Sequence, residues 1–238
     1  MKRIHLVDDC INYVQSLLYP PTCLLCGAPG ADGLDLCPGC LRSLPWNTAC
    51  CVRCAAPLPA AGLCGQCLKR PPSFDAALTP LLYRPPLDWL LQGYKFNRRL
   101  PPGRVLAELL RRHLLRHVDT LPDLILPVPL HPARLRERGY NQALELARPL
   151  ARALDVPLAA GMARRIRATA TQSLLPAEER RRNVRGAFEL AGPLRAQHVA
   201  IVDDVVATGS TVSELARLLR RAGAERVEVW AVARAGRS

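Results

Sequence analysis

The sequence is poor in aromatic residues, in lysine and in long apolar runs. Aromatic side chains make up 5% of its 238 residues, whereas 49% of the residues are hydrophobic, so a core must be built mainly from leucine, valine and alanine. No apolar run approaches the roughly 18–20 uncharged residues that span a bilayer. Asp8 and Asp9 stand where a secretory signal needs an apolar centre. We therefore expect a cytoplasmic protein without a membrane span.

The positive charge lies almost wholly on arginine, because only three of the 33 basic residues are lysines. Residues 1–75 carry 6 basic and 5 acidic side chains, whereas residues 76–238 carry 27 and 15. Arginine favours bidentate contacts with phosphates and carboxylates. The excess indicates either an anionic ligand on the larger part, such as a phosphorylated metabolite or nucleic acid, or arginines placed on solvated faces by codon bias.

Eight of the ten cysteines form four C-x-x-C pairs between residues 23 and 67. Each pair places two thiolates on one tight turn, and two such turns complete a tetrahedral zinc site. A disulfide framework would need an oxidising compartment, and a redox C-x-x-C is expected singly. We therefore predict two structural zinc sites. In the simplest, sequential pairing, the ligands are Cys23, Cys26, Cys37 and Cys40 for one ion, and Cys51, Cys54, Cys64 and Cys67 for the other.

Spacing alone leaves two questions about these sites open. A cross-braced pairing would satisfy the same chemistry, and Cys50 could compete with its neighbour Cys51. In every pairing all four ligands are cysteines, which leaves no open coordination position, so the metals are assigned to folding and not to catalysis.

The rest of the chain alternates between strand-like and helical segments. Strands are predicted at residues 75–83, 124–128, 198–202 and 226–232, and helices at residues 1–19, 87–96, 103–117, 140–154 and 210–222. Residues 163–189 are polar, with little periodicity. The alternation predicts an α/β fold with a parallel sheet. Residues 69–72, Lys-Arg-Pro-Pro, predict a boundary between an N-terminal domain, residues 1–72, and the α/β domain, residues 73–238.

The most informative stretch follows the predicted strand at residues 198–202. Two acids, Asp203 and Asp204, precede a small loop and then a helix. The loop, called the phosphate loop below, consists of Ala207, Thr208, Gly209, Ser210 and Thr211. Backbone N–H groups of such a turn bind phosphate, and the two carboxylates suit ribose hydroxyls or a divalent cation. The alternative is a capped strand end with solvated acids. Neither a Walker A loop nor a dinucleotide G-x-G-x-x-G motif is present.

Residues 201–211 resemble the 5-phosphoribosyl-1-pyrophosphate (PRPP) motif of type I phosphoribosyltransferases. The order of elements over residues 23–234 resembles the ComF/GntX family, also called ComFC. The four C-x-x-C turns, called knuckles below, resemble the double zinc ribbon of that family. Residues 127–142, which include Arg-Gly-Tyr-Asn-Gln, resemble its pyrophosphate-loop region. Residues 171–188 resemble its mobile loop. One departure is residues 205–207, Val-Val-Ala, where the family often has more polar residues.

The resemblance implies a type I phosphoribosyltransferase-like sheet with an N-terminal double zinc ribbon. It also implies that PRPP binds with Mg²⁺ and that pentosyl transfer releases pyrophosphate. The phosphate loop would then hold the 5′-phosphate, and Asp203 and Asp204 the ribose hydroxyls. Val128 and His131 would receive the pyrophosphate, with Arg138 as a counter-charge, and residues 164–185 would form a lid. Asp203, Asp204 and Arg138 are thus the expected catalytic residues.

Two classes of function follow from the resemblance. The first is a Mg²⁺-dependent phosphoribosyltransferase with an open acceptor. The second is a non-catalytic module of natural transformation that senses PRPP and handles single-stranded DNA or binds a DNA-uptake helicase. The scarcity of aromatic residues argues against an extensive base-stacking platform. The acceptor, the occurrence of turnover and the oligomeric state stay open.

Overall fold

The computed structural model describes residues 20–96, 100–167 and 182–236. The chain divides into two units, Met1–Leu44 and Pro45–Ser238. The first knuckle pair lies in the smaller unit and the second in the larger one. The helix predicted at residues 1–19 and most of the predicted lid, residues 168–181, fall outside the described residues. The boundary predicted after residue 72 states that residues 1–72 and residues 73–238 fold as separate domains. Contacts within one structure do not test separate folding, so this boundary stays a prediction.

Parallel strands form the sheet of the larger unit. In chain order the strands are β1 (Ala76–Leu78), β2 (Leu81–Leu82), β3 (Leu124–Pro127), β4 (Ala163–Arg165), β5 (Phe188–Leu190), β6 (His198–Val206) and β7 (Arg226–Arg234). The sheet order is β1-β7-β6-β3, with β2 also paired to β7, and all these pairs are parallel. Separately, β4 and β5 form an antiparallel hairpin. The predicted parallel α/β fold is therefore confirmed.

The strands at the centre are apolar because both of their faces are covered. Residues 199–202 on β6 and 227–233 on β7 are buried without interruption, as expected for a parallel sheet between helices. In chain order the helices are α1 (Pro38–Arg42), α2 (Gly65–Lys69), α3 (Leu87–Phe96), α4 (Leu100–His117), α5 (Pro132–Arg138), α6 (Gln142–Leu154) and α7 (Ser210–Arg221).

Helix α7 buries Val212, Leu215 and Leu219 in the same core cluster as Val199 and Ile201 of β6. Helices α4 and α6 pack against each other, and α6 packs on β3 and β6. Within the described part of the chain, no helix combines the length and apolarity needed to cross a membrane.

Several elements differ from the sequence expectations. The strand predicted at residues 75–83 is divided into β1 and β2, and the short helices α1 and α2 were not predicted. Strand β6 continues past the apolar run, through Asp203 and Asp204 to Val206, because its residues up to Val206 pair with residues of β7 up to Arg234. Helix α5 occupies the stretch expected to be a loop, with Pro132 in its first turn and the left-handed Gly139 (φ 82°) at its end. Strands β4 and β5 form an antiparallel pair of two three-residue segments that are far apart in sequence. Local periodicity could not predict this pairing.

We expect Leu215→Ala to lower the free energy of unfolding by about 2–5 kcal/mol, since Leu215 is fully buried and its truncation leaves a cavity. The matched control is Leu115→Ala on α4, where 57% of the residue is exposed; its effect should stay within about 0.5 kcal/mol. Urea denaturation followed by the fluorescence of the buried Trp230 measures both. Equal losses in the two variants would contradict the described packing.

Candidate active site and metal centres

Eight cysteines form two clusters of four, and both clusters have the sequential composition. One contains Cys23, Cys26, Cys37 and Cys40, and the other Cys51, Cys54, Cys64 and Cys67; within each, the sulfur atoms lie within 4.8 Å of one another. The Cys26–Cys37 and Cys54–Cys64 sulfur separations are both 3.7 Å. A tetrahedral zinc with Zn–S bonds near 2.3 Å requires sulfur separations of about 3.8 Å. Both sites therefore fit structural zinc.

Backbone N–H groups prepare the thiols for a metal. Cys37 caps α1 and accepts from Cys40 N at 3.3 Å. Cys64 caps α2 and accepts from Cys67 N at 3.4 Å. Burial opposes the charged form of Cys51, but backbone N–H groups, including that of Cys64, outweigh it and lower the pKa of Cys51 to about 6. Thiolates are the ligand form that zinc requires.

Cys50 lies outside both clusters. Its neighbour Cys51 is the cluster member, which answers the question that the adjacent cysteines raised. Burial, followed by the charge of Cys51, raises the pKa of the Cys50 thiol.

The phosphate loop connects β6 to α7. Gly209 has φ 74°, a left-handed conformation that glycine adopts without steric cost, and it stands at the N-cap of α7 without a side-chain cap. Thr208 Oγ1 lies 2.8 Å from Ser210 Oγ and accepts from Ser210 N at 3.3 Å. The first-turn N–H groups of a helix have no partner within the helix, so the start of the 12-residue helix α7 is suited to an anion.

The two acids lie within β6, before the phosphate loop. Asp203 Oδ1 accepts from Asp204 N at 2.9 Å, and Asp204 Oδ1 accepts from Val205 N at 2.6 Å. Lys95 on α3 forms an ion pair with Asp204 at 3.0 Å. Burial and the adjacent Asp204 carboxylate raise the pKa of Asp203. This pair, with Asp204 buried and Asp203 partly exposed, is suited to hydroxyl groups or a cation.

A cavity of about 340 Å³ joins these groups. Its lining includes the following predicted site residues: Val128, Arg138, Asp203, Asp204, Ala207, Thr208, Gly209, Ser210 and Thr211. His131 is absent from that lining. Its Nδ1 instead accepts from Ala133 N at 3.3 Å as the N-cap of α5, which is the turn role that its place beside Pro132 also allows.

Three further cations line the cavity, namely Lys95, Arg134 and Arg165. Arg134 lies in the predicted pyrophosphate-loop region and Arg165 in the predicted lid, although neither was singled out as a site residue, and Lys95 lies outside both segments. Burial and the nearby Arg134 lower the pKa of Arg165, which shows that positive charges are crowded there. With Arg138, four cations surround one pair of acids. This balance favours a ligand that is anionic and also carries hydroxyl groups.

Three residues of the Arg-Gly-Tyr-Asn-Gln segment, Arg138, Asn141 and Gln142, also line the cavity. Arg138 Nη1 donates to Gln142 Oε1 at 2.9 Å. Asn141 caps α6 by accepting from Ala143 N at 3.0 Å, and its Nδ2 donates to Val128 O at 3.0 Å. The hydrogen bond to Val128 O therefore holds the backbone that follows β3. This is the region where the family resemblance implies that pyrophosphate binds.

Two domain families match this chain, the double zinc ribbon domain at residues 14–68 and the phosphoribosyl transferase domain at residues 141–238. The DNA utilization protein YhgH of Escherichia coli O157:H7 is 42% identical over 224 residues, which cover 92% of this chain and 99% of that protein. Competence protein F of Haemophilus influenzae is 41% identical over 211 residues, covering 84% and 90% of the two chains. The chain belongs to the ComF family.

This ComF-family chain thus combines a double zinc ribbon with a phosphoribosyltransferase-like domain. Among solved structures, the purine phosphoribosyltransferase of Pyrococcus horikoshii Ot3 aligns at 22% identity over 53% of this chain and 66% of its own. The TM-score is 0.29, a likeness too distant to carry an argument.

We expect purified wild-type protein to hold two zinc ions per chain, and Cys51→Ser to hold one, because a missing thiolate opens the second cluster. Cys50→Ser is the matched control and should keep both ions, since Cys50 lies outside the clusters. Elemental analysis of dialysed protein measures the content. Loss of zinc from Cys50→Ser, or full zinc content in Cys51→Ser, would refute the assignment.

Proposed function

We propose that this ComF-family protein binds PRPP in the 340 Å³ cavity and transfers its phosphoribosyl group with release of pyrophosphate. One observation carries the proposal: the phosphate loop, the Asp203–Asp204 pair and four cationic side chains line the same cavity. PRPP carries phosphate at one end, pyrophosphate at the other and ribose hydroxyls between them, so its functional groups correspond to these three features.

In this proposal the 5′-phosphate binds the backbone donors of the phosphate loop. The ribose hydroxyls donate to Asp203 and Asp204, which precede the loop on β6. The pyrophosphate lies toward Val128, beside Arg134 and Arg138. His131 is not needed as a ligand, because its Nδ1 already accepts the cap hydrogen bond of α5.

Mg²⁺ fits the donor set of this site. Asp203 and Asp204 both line the cavity, and burial together with the nearby Asp204 charge raises the pKa of Asp203. A divalent cation offsets both effects. These two residues would hold the ion together with substrate oxygens and water. Its chemistry there would be to neutralise charge on the pyrophosphate.

Transfer breaks the bond between ribose C1 and the pyrophosphate oxygen, and the electron pair leaves with pyrophosphate. The acceptor then bonds to C1 and gives up a proton. Positive charge that develops on the sugar lies near Asp203 and Asp204, and negative charge on the leaving group lies near Arg134 and Arg138. Catalysis is therefore mainly electrostatic. The acceptor is not identified by any residue of the cavity.

Replacing both acids, as Asp203→Asn with Asp204→Asn, should weaken PRPP binding in the presence of Mg²⁺ by at least ~100-fold. Hydrogen bonds to a charged group contribute about 1.5–3 kcal/mol each, and each 1.4 kcal/mol is about tenfold. Asp119→Asn, at an exposed position, is the matched control and should bind normally. Isothermal titration calorimetry measures the affinities. Unchanged affinity in the double variant would refute the site assignment.

The alternative is a protein that binds PRPP without turnover and acts as a sensor, a single-stranded DNA handler or a partner of the uptake helicase. The names of the relatives, DNA utilization protein and competence protein, favour a role connected with DNA. The basic surplus on residues 76–238 is compatible with salt-sensitive binding to a phosphate backbone.

Pyrophosphate release separates the two candidates. We expect release that requires an acceptor, and none from the Asp203→Asn, Asp204→Asn double variant. A coupled pyrophosphate assay across nucleobases, nucleosides and single-stranded oligonucleotides measures it. PRPP binding without release from any acceptor, combined with oligonucleotide affinity that falls steeply with salt, would instead support the non-catalytic role.

A further inference from the structure

Arg234 is a buried cation at the end of β7, with 5% of the residue exposed. Its Nε donates to Cys54 O at 2.9 Å. Its Nη1 donates to Val206 O and Ala235 O, each at 2.8 Å, and to Ala207 O. One guanidinium therefore joins the backbone of a zinc ligand to the last residue of β6 and the first residue of the phosphate loop.

Arginine is suited to this position for geometric reasons. Its planar fork offers five N–H donors in fixed directions, whereas lysine offers three donors on a single atom. Backbone carbonyls that lose a buried donor are left without the water that would otherwise solvate them. Removal of Arg234 would thus release the Cys54 and Ala207 carbonyls together, whereas Val206 O would keep its hydrogen bond from Ala235 N.

Further contacts attach the second ribbon, the segment that contains Cys51, Cys54, Cys64 and Cys67, to the sheet and to α7. Asn47 Nδ2 donates to Ala55 O at 3.0 Å and to Thr79 Oγ1 at 3.1 Å. Ser73 N, which follows the ribbon, donates to Ser213 Oγ on α7 at 3.0 Å. The ribbon is therefore held against the same helix that begins at the phosphate loop.

A second cavity, of about 520 Å³, lies behind the phosphate loop. Its lining includes Cys54 and Cys67 from the zinc cluster, Thr208 and Ser210 from the loop, and Phe74 and Arg234. The phosphate loop thus borders both the proposed PRPP cavity and a cavity lined by the metal site. Arg234 connects the two sides directly, because it donates to Cys54 O in the ribbon and to Ala207 O in the loop.

We propose that Arg234 is a positioning residue that couples the second zinc site to the phosphate loop, so that metal in this ribbon and PRPP in its cavity stabilise each other. The proposal rests on the proposed function, because it needs PRPP to bind the loop. A zinc ribbon forms only when its thiolates converge on the metal, so the position of Cys54 O depends on that site. Coupling between two sites is reciprocal: zinc orders the loop, and PRPP retains zinc.

The reciprocal effect can be measured on the full chain at the level of single cysteines. Protein is exposed to a chelator and an alkylating reagent with or without PRPP and Mg²⁺ in excess of the chelator, and peptide mass spectrometry gives the rate for each cysteine. We expect PRPP to slow alkylation of Cys51, Cys54, Cys64 and Cys67 about tenfold, within the usual range of coupling. The first ribbon contributes no acceptor to Arg234 in the hydrogen bonds above, so its four cysteines serve as an internal control and should not respond.

Arg234→Met should abolish this protection and weaken PRPP binding about tenfold, with two zinc ions still bound before chelation. Arg234→Lys should recover part of both, because it keeps the charge and some donors. Arg195→Met, at an exposed position, is the control and should match wild type. Hydrogen exchange of the phosphate-loop amides should rise in Arg234→Met only.

The outcomes separate the two proposals. If wild type does not bind PRPP, the proposed function fails, and the coupling fails with it. If wild type binds PRPP but Cys51, Cys54, Cys64 and Cys67 are alkylated at an unchanged rate, the coupling alone is overturned. The alkylation rates are measured on the wild-type protein, so the coupling can be refuted even if Arg234→Met does not fold.

Discussion

The carboxyl end of β6 holds two carboxylates and the phosphate loop within a few residues of each other. Asp203 and Asp204 would repel a phosphorylated ligand unless cations from elsewhere offset them. Lys95 lies 3.0 Å from Asp204, and α5 and β4 bring arginines to the same cavity. The placement of α3, α5 and β4 around this one strand end therefore decides whether the site can accept an anion.

The parts that the sequence could predict are contiguous in the chain. The C-x-x-C spacing identified both groups of zinc ligands, because each knuckle is a local turn. The strand, acids, phosphate loop and helix of residues 198–221 were also recognisable, since one short stretch contains all of them. The apolar runs of β6 and β7 predicted the parallel sheet for the same reason.

The parts that it could not predict depend on pairs distant in sequence. Lys95 reaches the cavity from α3, and nothing in its local sequence distinguishes it from a solvated cation. Arg165 reaches it from β4; the predicted lid includes this residue but does not single it out. Arg234 and Cys54 are 180 positions apart, so local sequence patterns could not predict that the second ribbon is attached to the phosphate loop. The grouping of that ribbon with the sheet, in the unit Pro45–Ser238, follows from such contacts and not from the Pro-rich segment after it.

In the proposed function, the carboxyl end of β6 binds PRPP through the 5′-phosphate and the ribose hydroxyls. A crystal structure of the full chain with Mg²⁺ and PRPP tests it most directly. We expect the 5′-phosphate on the amides of the phosphate loop and the ribose hydroxyls within hydrogen-bonding distance of Asp203 and Asp204. Density for PRPP elsewhere, or a cavity that stays closed by its own side chains at saturating PRPP, would contradict it.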